Sequence, residues 1–175
     1  MVVGNLELIN SFTGTGVTFL DTPNLFSADY DVYYWSVTKA TVSGEDNMEI
    51  LVLDSSNTVI TDSEYDWASL EMNAGASFGE AKNTNRAKVD SYGRYSATSS
   101  KNLGVSGYIF NPYNSSSYTF GTIQTAGWYD TGNYARGTKQ IWVHKSAEQI
   151  NGIRLSAQGK TFSPITVTIY GLASK

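Results

Sequence analysis

Apolar and polar residues alternate with a period of two along most of the chain, and no stretch sustains a 3.6-residue period over three turns. Strands are therefore expected throughout, with helices only as short pieces. The alternation predicts strands over 6–11, 16–20, 30–42, 48–54, 104–110, 118–125, 139–145, 153–156 and 165–171. The last is the clearest: Ile165, Val167 and Ile169 fall on one face and Thr166, Thr168 and Tyr170 on the other, as in a half-buried antiparallel strand. In 30–42, Tyr33, Trp35 and Val37 share one side while Tyr30, Val32 and Tyr34 share the other. Both faces call for cover, which places this strand centrally in a sheet. Turn residues punctuate the segments at Gly14 and Gly16, 44–47, 55–57, 111–114, 132–133 and 159–160. Asn151-Gly152 fits either a type I′ hairpin turn or a strand running through it, and the residues leave both open.

Between 73 and 103 the apolar residues thin out, and Gly, Ala, Ser, Asn and Thr dominate. Such a stretch cannot build a core of its own, so a long loop or arm, or a disordered segment, is expected there. As an arm it would reach a neighbouring subunit, with Tyr92 and Tyr95 as anchors and Arg86, Lys88 and Arg94 as charged contacts.

Composition supports an all-β chain. Only 16% of residues are charged but 13% are aromatic, and 16 glycines supply turns. At 175 residues one antiparallel β-sandwich domain over 1–175 is expected. Area scaling puts its folded surface near ~8,400 Å². No window approaches a membrane span, and the opening Met1-Val2-Val3-Gly4-Asn5 has no basic segment, so neither a membrane partner nor a signal peptide is expected.

The net charge of −4 argues against a nucleic-acid partner and conceals an asymmetry. Residues 1–85 carry 13 acids and two bases, whereas residues 86–175 carry three acids and ten bases. Either acidic and basic strands interleave and cancel, or the molecule has oppositely charged sides that dock head to tail or onto a larger charged surface.

Reactive chemistry is sparse. With no cysteine, disulfides and thiolate sites are excluded. His144 is the single histidine, without a recognisable nucleophile elbow, and reads as strand-packed or surface. A zinc site would need carboxylates for nearly all its ligands. Asp62, Glu64 and Asp66 could aim three carboxylates to one side of an extended chain, but Trp67 and Asn73 break the EF-hand pattern, leaving a solvated acidic turn as the expectation over calcium. No phosphate-binding glycine loop and no preferred carboxylate pair for glycoside hydrolysis stand out. The sequon at Asn114 carries little weight without an export signal. No catalytic residue, cofactor or metal is expected. Tyr113, Trp128, Tyr129 and Tyr134 lie in or beside predicted loops, where they could stack on sugar rings or seat a protein partner.

Two runs then become familiar: GVSGYIFNPYNSSSYTFGTIQTAGWYD over 104–130 and INGIRLSAQGKTFSPITVTIYGLAS over 150–174. With INSFTGTGVTFLDTP and YDVYYWSVTKATVSGEDNMEILVL in the first half, they resemble small β-sandwich structural proteins of tailed bacteriophages, many from phages of aquatic bacteria. The NPYNSSSY turn joined to the closing TIYGL carries the resemblance; Asn151-Gly152-Ile153 departs from it. The resemblance implies a jelly-roll-like sandwich and a non-enzymatic virion protein made in the host cytoplasm. A head decoration or cement subunit comes first, contacting the major capsid protein and its own copies, with a trimer favoured. The alternative is a tail or fibre module that binds a receptor or host glycan. No catalytic residues come with the resemblance.

Overall fold

Alternation becomes pairing in a computed structural model that describes residues 5–75, 78–95, 101 and 103–172, the side chains at 92–95 excepted. The strands are β1 (Leu6–Gly14), β2 (Phe19–Asp21), β3 (Val32–Val42), β4 (Asp46–Asp54), β5 (Tyr65–Asn73) and β6 (Gly79–Arg86), then β7 (Val89–Tyr95), β8 (Gly104–Phe110), β9 (Thr119–Tyr129), β10 (Tyr134–His144), β11 (Ile150–Ser156) and β12 (Phe162–Leu172). They assort into an eight-stranded antiparallel sheet, β1-β12-β3-β8-β9-β10-β5-β6, and a four-stranded one, β2-β11-β4-β7.

The pairs β1 with β12, β2 with β11, β3 with β8 and β4 with β7 are those made when one long hairpin rolls up, its pairs falling alternately into two sheets. That is jelly-roll topology. Two hairpins, β5–β6 and β9–β10, are inserted into it and extend the larger sheet past β8. Between the sheets, Tyr33, Trp35 and Val37 of β3 and Ile165, Val167 and Ile169 of β12 join Met48, Ile50 and Val52 of β4 and Ile153 and Leu155 of β11 in one core. β3 is central as expected, lying between β12 and β8, with Tyr33, Trp35 and Val37 buried and Val32 and Tyr34 half-buried on the outer face. Turn positions flagged in the sequence take the left-handed backbone: Gly16 at φ 72°, Asn57 at 62°, Asn111 at 56° and Asn133 at 56°. Through Asn151-Gly152 the chain runs on as strand β11, with a register irregularity between Ile150 and Gly152.

Two expectations are corrected. The described residues of the 73–103 segment do not form a long arm, because they supply β6 and β7. β6 is an edge strand, exposed nearly throughout and held by its ladder to β5, so it needs no apolar alternation. β7 is anchored through Val89 and the small Ser91, both fully buried beside β4. The acidic stretch 62–66 also runs into a strand: Tyr65, Trp67 and Ser69 of β5 point inward and are buried.

Of the two readings of the charge asymmetry, interleaving is the one observed. Second-half bases pair with first-half acids: Lys88 with Glu49, Arg136 with Glu71, Lys145 with Asp66, Arg154 with Asp21 and Lys160 with Asp46. Rolling up a hairpin brings distant halves side by side, so the opposite charges meet inside one molecule.

Candidate functional site

The outer face of the eight-stranded sheet departs from the usual polar solvent face of an antiparallel sheet. Cross-strand register aligns Leu8, Tyr170, Tyr34 and Tyr108 as one outward row. The row continues through Thr122, whose hydroxyl accepts the Tyr108 N–H at 3.1 Å, to Ile141, Ala68 and Lys82. One line of side chains therefore crosses all eight strands. Its aromatic section is continuous: Tyr34 stands 5.4 Å from Tyr108 and 6.1 Å from Tyr170, and Phe110 stacks on Tyr108 at 6.2 Å. On the row Leu8 (63%), Tyr108 (41%) and Ile141 (64%) are well exposed, and beside it on the same sheet Phe120 (44%) and Leu70 (62%) are too. Apolar exposure gathered on one face, rather than scattered, marks an interaction surface. Over β8-β9-β10-β5-β6 this face holds a groove of about 720 Å³, its walls including Leu70, Tyr108, Thr122, Gln124, Lys139 and Ile141.

The aromatics singled out in the sequence sit elsewhere. Trp128, Tyr129 and Tyr134 gather around the β9–β10 turn, half-buried. The Lys101 ammonium lies 5.3 Å over the Trp128 ring, the Arg136 guanidinium 5.2 Å over Tyr129, and Tyr134 meets Tyr129 edge-on at 5.4 Å. Cations of the chain itself thus occupy ring faces that a sugar would use. Tyr113 packs against the core. Of the expected arm contacts, Lys88 is tied to Glu49 and, at 3.6 Å, to Asp90, while Arg86 ends β6 in an exposed position. The side chains of Tyr92, Arg94 and Tyr95 lie outside the described residues. The outward row itself was missed, although period-two spacing of Tyr108 and Phe110 put apolar groups on a shared face.

His144 ends β10, is completely buried, and lies against the Tyr65 ring at 5.0 Å. Its Nε2 is 3.0 Å from Glu148 Oε1 and 3.8 Å from Glu64 Oε2. Its Nδ1 is buried without a hydrogen-bond partner. The three acids of the 62–66 stretch go separate ways: Glu64 turns to His144, and Asp66 accepts from Lys145 at 2.9 Å and from the Asn85 N–H at 2.8 Å. Those contacts hold the Asp66 carboxyl below its ordinary range. Asp62 contributes its carbonyl, which accepts the Glu64 N–H at 2.8 Å.

No family model matches the chain, and no curated protein matches it. Among solved structures, a fructofuranosidase variant from Schwanniomyces occidentalis complexed with fructosylnystose is similar at 10% identity, over 99% of this chain and 35% of that one, with a TM-score of 0.20. The chain thus spans about a third of that enzyme's length. Likeness at this level carries no argument about fold or activity.

Proposed function

We propose that this chain is a non-enzymatic binding subunit that attaches to a larger assembly through the outer face of its eight-stranded sheet, the assembly being a bacteriophage head that it decorates or cements. The observation that carries the reading is the exposed apolar and aromatic row crossing the sheet. Internal neutralisation of the charged halves agrees with it, since attachment then rests on apolar contact. The phage setting is supported by the resemblance of the 104–130 and 150–174 runs, and a jelly roll is a scaffold suited to virion surfaces. Closed cyclic assembly, a trimer in the first instance, multiplies modest contacts into firm attachment.

The test is to add purified protein to heads lacking it and to measure bound copies and the melting temperature of the shell. Wild type binds at fixed stoichiometry and raises that temperature. Replacing Tyr108, Phe120 and Ile141 together by Ser weakens binding at least about tenfold while the isolated subunit stays folded, because all three side chains are exposed. Undiminished binding by that variant overturns the reading.

A second reading, a tail module that binds host glycan, is favoured by the groove, where Thr122, Gln124 and Lys139 place polar groups beside the Tyr108 ring. Binding to isolated host polysaccharide, with no binding to heads, selects it.

A further inference from the structure

We infer that Glu64, His144 and Glu148 form a binding site for a first-row divalent cation of the zinc type. One donor atom from each residue lies within 4.8 Å of the other two. Surface carboxylates often gather without a ligand. This group differs in its centre, a fully buried imidazole whose Nε2 points at both carboxylates, at 3.0 and 3.8 Å.

Each donor comes from a separate segment, and two of the three segments are held by backbone hydrogen bonds. His144 lies in β10, paired with Tyr65 on one side and Thr119 on the other. The Glu64 carbonyl accepts the N–H of Lys145, the residue next to His144, at 2.9 Å, so β10 carries Glu64 with it. Glu148 reaches back from the connection between β10 and β11.

Bonds of 2.0–2.2 Å in a tetrahedral site put ligand atoms roughly 3.3–3.6 Å apart. The present spacings bracket that range, and the two glutamates, 38% and 35% exposed against 0% for the histidine, have the freedom to adjust. Their exposure also leaves a path for the ion and room for water in the remaining position. Two carboxylates face an imidazole that carries at most one positive charge, and the neighbouring Lys145 ammonium is engaged by Asp66 at 2.9 Å. An imidazole nitrogen with two carboxylate oxygens suits zinc and its neighbours, whereas calcium and magnesium favour oxygen alone.

The other ring nitrogen, Nδ1, is buried without a hydrogen-bond partner, so the site lacks the outer hydrogen bond that most metal-bound histidines make, and its affinity is lower than that of a site with one.

The experiment uses chelator-treated, tag-free protein, titrated with zinc chloride by calorimetry and melted with and without the ion. Expected are one zinc per chain and a melting temperature raised by about 5–10 °C at roughly a hundredfold excess over Kd, with calcium and magnesium without effect. His144 is buried and its replacement endangers folding, so the variant is Glu64→Gln with Glu148→Gln. It stays folded and loses both the heat and the shift, while Asp62→Asn keeps them. Cobalt in place of zinc reports the nitrogen ligand through its visible absorption. The site is refuted by wild-type protein that shows neither heat nor shift with zinc, or by a folded double variant that binds zinc as wild type does.

Discussion

Tyr65 shows how a single side chain joins sequence to fold. Its ring fills the core, and its buried hydroxyl donates to the Ile60 carbonyl at 3.0 Å and accepts the Val52 N–H at 3.1 Å, tying the start of β5 to β4. Burial, with nearby carboxylates, pushes its phenol pKa up, so it donates as a neutral group at any ordinary pH. Tyr65→Phe keeps the ring but leaves two backbone groups unsatisfied. It is expected to cost about 1–3 kcal/mol in denaturant unfolding with an unchanged m-value. Gly121 illustrates the converse. Its missing side chain is the space taken by the Trp142 indole, which lies where a Cβ would stand. The role of Tyr65 was not legible in the sequence, where 62–66 read as an acidic turn. Nor were the partners of its hydroxyl, because they belong to β4 and to the turn that follows it.

At the level of elements, nine of the twelve strands were readable, because most of them set buried against more exposed positions in alternation, as in β3, β9 and β12. The other three escaped for separate reasons. β5 does alternate, with Tyr65, Trp67 and Ser69 inward, but its acidic start suggested a turn. β6 carries no apolar pattern, because an edge strand is held by backbone hydrogen bonds to one neighbour. β7 gains its place from β4, with Val89 and Ser91 buried against it and Lys88 just before it meeting Glu49. For Lys88, desolvation lowers the ammonium pKa, but the hydrogen bond and charge of Glu49, with help from Asp90, outweigh this and leave it raised. A raised folded pKa means the contribution is complete below the unfolded value near ~10.4 and disappears as pH climbs through the folded one. Lys88→Met is therefore expected to flatten the loss of stability above about pH 10. Because the side chain is 35% exposed and screened, the difference is at most about 1 kcal/mol. Thermal melts of both proteins across alkaline pH decide it.

For the molecule as a whole, the accessible surface is 8362 Å², close to the ~8,400 Å² expected of a folded chain of this mass. The opposed charges of the two halves meet in pairs within the sandwich, and attachment through the outer face should respond weakly to salt. Binding to heads is expected to change less than about threefold between roughly 50 and 500 mM sodium chloride. A tenfold loss would instead point to a charged interface. What the sequence determined by itself was the all-β class, the strands with one buried face and the turns that need left-handed backbone, because these follow from side chains within a few residues of one another. Which strands pair, which face is left outward with its row of tyrosines, and which carboxylates meet His144 were decided only in three dimensions. Cross-strand neighbours such as Tyr34 and Tyr108, or Glu64 and His144, lie more than 70 residues apart, and it is the rolling of the hairpin for the first pair and the pairing of the inserted hairpins for the second, not local preference, that brings them together.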